Sequence, residues 1–89
     1  MNEENVLEVG KLYVLNVDLT LFVDEVDELF IRTEKLPLDK DTVVFVLSNK
    51  VIPMGSDTVV LYVVLDSVNG RVGRLYSDLK THTQHYTAL

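Results

Sequence analysis

The 89-residue chain has no cysteine and no tryptophan. Without thiols it can form no disulfide framework, no thiolate nucleophile and no cysteine-ligated metal site, a composition that fits a reducing compartment. Two prolines and four glycines are all that interrupt it. Neither G-x-x-x-x-G-K-[ST] nor G-x-G-x-x-G occurs, so no phosphate-cradling loop is expected. Long hydrophobic runs are also missing. The longest, Val59 to Leu65, has seven residues, where a membrane-spanning helix needs about 20. The start, Met1-Asn2-Glu3-Glu4-Asn5, is acidic where a signal peptide is basic, and no apolar segment follows it. These features predict a soluble, cytoplasmic protein without membrane association.

The apolar fraction is 47% and the charged fraction 25%, the proportions of a folded domain rather than a disordered chain. The net charge of −6 is unevenly spread. Residues 1–31 hold eight acids against one base, Lys11, while residues 32–89 hold six acids against seven bases. Phosphate backbones repel such a first third, which disfavours nucleic acid as a partner.

Period-two alternation dominates the pattern. Tyr13, Leu15, Val17, Leu19, Leu21 and Val23 are apolar at odd positions, with Asn16, Asp18 and Thr20 between them. That spacing predicts a strand with one face in a core. The segment is long for a small domain, so a bend near Asn16–Asp18 is expected. Asp24-Glu25-Val26-Asp27-Glu28 reads as an acidic loop, Leu29–Thr33 as a short strand and Leu36–Asp41 as a turn. Thr42–Leu47 and Thr58–Ser67 read as strands, with Asn49–Asp57 as the loop between them. Asn69-Gly70 suits a type I′ turn leading into Arg71–Tyr76. Ser77-Asp78-Leu79 reads as a 3-10 turn capped by Ser77. The resulting expectation is an all-β fold of five to six antiparallel strands and one short 3-10 turn. Its predicted core is Leu15, Val17, Leu19, Leu21, Val43, Phe45, Leu61, Val63, Leu65 and Val72. Residues 1–10 form an acidic N-terminal segment, 11–80 the β domain, and 81–89 a polar tail or edge strand.

This order of elements, with Asn69-Gly70-Arg71-Val72-Gly73-Arg74-Leu75-Tyr76-Ser77-Asp78-Leu79-Lys80 and Leu36-Pro37-Leu38-Asp39-Lys40-Asp41-Thr42-Val43, resembles the bacterial SH3-type (SH3b) domains. The resemblance implies a small SH3-like barrel. It departs from the family at Arg74, where a tryptophan is usual, and at Asn16-Val17-Asp18, where an Asn-Val-Arg-Ser segment is usual. The peptidoglycan binding common in that family is therefore not carried over, and the barrel alone transfers little.

Catalytic patterns are weak. Ser48, Ser56, Ser67 and Ser77 lie in no G-x-S-x-G elbow, and only His82 and His85 offer a base. The two histidines would share a face with Asp78 on a helix but not on a strand, so no metal and no cofactor are expected. The acidic loop lacks the glycine and the spacing of a calcium loop. A non-enzymatic protein-interaction module is the reading that follows, with Asp24, Glu25, Asp27 and Glu28 meeting a basic protein partner. The second face of the strands, Val44, Val46, Val60, Tyr62 and Val64, is expected to form an apolar patch, either a homodimer interface or a surface covered by the acidic loop or the tail. An alternative takes Arg71, Arg74, Tyr76 and Lys80 as nucleic-acid contacts, since Gly70–Lys80 resembles the turn of KOW or Tudor-type barrels. Another is an acidic decoy that inhibits a basic enzyme.

Overall fold

The computed structural model describes residues 6–89. The strands are β1 (Leu12–Leu15), β2 (Leu19–Val26), β3 (Ile31–Leu38), β4 (Val43–Met54), β5 (Asp57–Asp66), β6 (Val72–Asp78) and β7 (Tyr86–Ala88), with a 3-10 turn over His82–His85. The described residues form an all-β fold, 62% strand and 5% helical, in one open antiparallel sheet ordered β3-β2-β6-β5-β4-β1-β7. Among the described residues there are seven strands where five or six were expected. No helix among the described residues is long and apolar enough to cross a membrane.

The expected bend divides the first apolar segment into β1 and β2. Side chains hold the break in place. Asn16 Nδ2 donates to the Gln84 carbonyl at 3.1 Å, and Asp18 Oδ1 accepts from the Lys40 N–H at 2.7 Å. Every strand from β1 to β7 sends at least one side chain into a single buried cluster, from Leu38 on one edge strand to Tyr86 on the other. The sheet must therefore curl around its core. Fully burying each of the leucines and valines in that cluster contributes about 1.5–3 kcal/mol.

On β1 and β2 the odd positions Tyr13, Leu15, Leu21 and Val23 are buried as expected, and Leu19 is half-buried against them. Val17 is exposed in the break. On β4 and β5 the expectation is reversed. Val44, Val46, Val60, Tyr62 and Val64 are each 0% exposed, so they form the centre of the core and cannot be an oligomer interface while the sheet is folded. Val43, Phe45, Leu61, Val63 and Leu65 lie half-buried on the outer face, and Val72 is exposed. Both faces of β5 are apolar, so alternation alone carries no sign. The register decides it: Val46 pairs with Val64, Ser48 with Val63 and Asn49 with Tyr62. Leu47 is thus the extra residue of a bulge. It turns inward parity from even (Val44, Val46) to odd (Asn49, Val51) within one strand.

The turns differ from expectation where side chains organise them. Asn49–Asp57 is not a loop, because β4 runs to Met54 and β5 restarts at Asp57 around Gly55, whose φ is 63°. The sequence Leu36–Leu38 belongs to β3, so Pro37 sits in an edge strand, where its missing N–H is tolerated. Asn69-Gly70 does not form a type I′ turn, which needs two positive φ angles; only Gly70 has one, at 66°. Instead the buried Asp66 carboxylate accepts from the Val68 N–H at 2.9 Å and from Asn69 Nδ2 at 2.7 Å. The 3-10 turn lies at His82–His85, and Ser77 is a buried β6 residue whose hydroxyl is 3.0 Å from that of Tyr86. Asp66→Ala leaves the loop donors without partners and is expected to cost about 1–3 kcal/mol in urea unfolding, with Asp66→Asn costing less.

Candidate functional site

The residues read as an acidic loop lie in a β-hairpin arm. β2 and β3 pair from Leu19↔Leu38 to Val26↔Ile31, whereas β6 meets β2 at Phe22↔Arg74. Beyond that point the arm is two-stranded. Asp24 and Glu25 are strand residues, and Asp27 and Glu28 form the tip, where the Asp27 N–H donates to the Phe30 carbonyl at 2.9 Å. Asp27 Oδ1 also accepts from the Glu28 N–H at 2.7 Å. Its carboxylate therefore shapes the turn.

Two-stranded ribbons are marginal by themselves in water, and side chains brace this one from both faces. On the outer face Asp24 Oδ1 accepts from Arg74 Nη2 at 2.8 Å and from Thr33 Oγ1 at 2.7 Å. Arg74 also donates to the Tyr76 hydroxyl at 2.7 Å, and Phe22 and Tyr76 meet edge to face at 5.6 Å. With its terminal nitrogens so engaged, Arg74 keeps a buried Nε–H without an acceptor. On the inner face Glu25 lies 3.6 Å from Arg71 and 3.8 Å from Arg32, and Arg71 is 4.0 Å from Glu34. These exposed pairs orient the arm more than they stabilise it.

The structure therefore does not gather the four acids into one free cluster. Asp24 and Glu25 neutralise the arginines offered as nucleic-acid contacts. Arg71, Arg74 and Tyr76 face the arm, while Lys80 lies exposed in the turn after β6.

What the sequence reading overlooked is the apolar character of the tip. Val26 is 79% exposed, Leu29 88%, Phe30 54% and Ile31 68%. Single exposed apolar residues are ordinary, whereas four of them cluster at the tip of this hairpin. The available signal was Val26-Asp27-Glu28-Leu29-Phe30-Ile31 itself, in which large apolar residues enclose two acids with no glycine or proline. A second apolar area covers the outer sheet face, where Leu12, Val72 and Tyr76 are exposed beside the half-buried Phe45, Leu61, Val63 and Leu65. Comparison with models of known families, with curated proteins and with solved structures finds no match.

Proposed function

We propose that this is a non-enzymatic protein-interaction module of the cytoplasm that inserts the tip of its β2–β3 arm into an apolar pocket with a basic rim on a protein partner. The observation that carries the reading is the tip itself: four exposed large apolar side chains beside Asp27 and Glu28, on a ribbon that the rest of the sheet does not cover. Apolar anchors surrounded by charge are the arrangement of energetic centres in protein interfaces. Their burial supplies affinity, and the acids steer encounter with a basic surface. A nucleic-acid partner is disfavoured because Arg71 and Arg74 already pair with Glu25 and Asp24. A decoy that mimics nucleic acid would need those same two carboxylates free. For the frame we keep the SH3-like reading. The hairpin at Asn69-Gly70, the 3-10 turn at His82–His85 and the short last strand support it by following in the order the resemblance implies.

The test leaves the bracing residues intact. Affinity capture with the wild-type protein is compared with capture by Glu28→Lys/Leu29→Ser/Phe30→Ser, whose changes lie outside the core and the ion pairs. The expected result is a basic protein retained by the wild type and lost by the variant at equal thermal stability. An identical set of captured proteins would sink the proposal.

A further inference from the structure

The segment Val6–Gly10 crosses the end of the curled core as a strap, its main chain held by three side chains and one carbonyl of the sheet. The Leu7 N–H donates to the Tyr62 hydroxyl at 2.9 Å, and the Glu8 N–H to the Tyr13 hydroxyl at 2.8 Å. Asn49 Nδ2 donates to the Leu7 carbonyl at 2.9 Å, and the Gly10 N–H to the Val46 carbonyl at 2.8 Å. A cleft of about 380 Å³ lies on the Asn49 and Val51 side of the strap, and one of about 260 Å³ on the Tyr13, Thr83 and Tyr86 side. Both are walled by Val6, Leu7 and Glu8.

Behind the strap lies a titratable group with no exposure. His82 is 0% exposed, with Nε2 at 2.8 Å from the Tyr62 hydroxyl and Nδ1 at 3.2 Å from the Leu79 carbonyl. A carbonyl only accepts, so Nδ1 carries the proton and Nε2 is the acceptor. The Tyr62 hydroxyl therefore donates to Nε2 while its oxygen accepts from Leu7. The chain Leu7 N–H to Tyr62 O–H to His82 is complete only when the imidazole is neutral.

We propose that His82 is a proton-sensitive latch: its protonation reverses the hydrogen bond to Tyr62, frees the strap Val6–Gly10 and joins the two clefts into one open groove. A proton on Nε2 turns that nitrogen into a donor. The Tyr62 oxygen then meets two donors, Nε2–H and Leu7 N–H, while its own proton loses its acceptor. A cationic ring enclosed among the rings of Tyr62 and Tyr86, whose centroids lie 5.8 and 6.2 Å from its own, lacks hydration that an open strap would admit.

The titratable groups around the ring are the Tyr62 and Tyr86 phenols, His85 and Asp78. Burial pushes the phenols up, Tyr62 to about 12, so both stay neutral. Burial pushes the imidazole below its ordinary value, with His85 acting in the same direction. The carbonyls of Leu79 and Asp78 and the Asp78 carboxylate oppose this without overcoming it. The closed strap therefore binds the proton more weakly than the open one. Its stability is fully present above the ordinary histidine value of about 6.5 and is lost as the pH falls from there toward the closed-state value.

The experiment follows the histidine ring resonances and amide exchange of the intact protein across about pH 7.5 to 5, the range in which histidine changes charge. As His82 titrates, the amides of Leu7 and Glu8 should lose protection relative to β5 amides, which stay protected. His82→Gln, whose carbonyl can accept from Tyr62, should hold Leu7 protected at both extremes. Tyr62→Phe should leave Leu7 unprotected at both, with β5 still protected. The wild-type titration decides the matter even if neither variant folds. Leu7 protection that stays constant, that falls in step with β5, or that changes while His82 does not titrate would each overturn the latch.

Discussion

Leu21→Ala is expected to lower unfolding free energy by about 2–5 kcal/mol in urea, while Leu61→Ala lowers it by about 1 kcal/mol or less. Leu21 is 0% exposed, and its removal leaves a cavity that the facing strands can close only in part. Leu61 lies half-buried on the outer face, where truncation loses contacts with its neighbours but opens no void. The pair discriminates between the two faces of the sheet. Leu61 belongs to the core expected from the sequence, and equal costs at the two positions would contradict the register of β5. The same argument makes Val64→Ala more damaging than Val63→Ala on the adjacent strand position.

Gly73→Ala is expected to destabilise the fold by about 3 kcal/mol, against the gain that alanine normally brings over glycine in a strand. A β-carbon on Gly73 would lie 2.6 Å from Leu21 Cγ, 2.9 Å from Leu21 Cδ1 and 2.8 Å from the Phe22 carbonyl oxygen. The leucine can shift only by disturbing the core, and the carbonyl belongs to the backbone of β2. Relief would require β2 to move away from β6, and with it the base of the arm. Adding Leu21→Ala should therefore recover part of the loss but not all of it, since the Phe22 carbonyl stays. A double-mutant cycle in urea measures that coupling. Strict additivity of the two substitutions would show that they do not touch.

The tail and the arm show why some features could not be read locally. His82 and His85 gave no metal spacing on a strand, and the structure uses His82 through a tyrosine 20 residues away. Tyr62 in turn holds Leu7, 55 residues from it. Hydrogen bonds of that separation leave no mark in the sequence of either segment. The acids at 24–28 looked alike as a string, yet Asp24 and Glu25 face Arg74 and Arg71 on opposite faces of a ribbon, while Asp27 closes its turn.

The β class, the break at Asn16–Asp18 and the inward odd positions of β1 and β2 follow from composition and alternation alone. There the odd positions are apolar without a break, while the even positions include Asn16, Asp18 and Thr20, and a strand has only two faces to offer. Tertiary structure alone decided which face of β4 and β5 lies inside. Both of their faces are apolar, and the bulge at Leu47 changes parity partway along β4. The inward face is the one whose polar members find partners: Tyr62 with Leu7 and His82, Asp66 with its loop, and Ser77 with Tyr86. Polar groups count against burial only when they are left without hydrogen bonds, and those bonds come from segments distant in the chain.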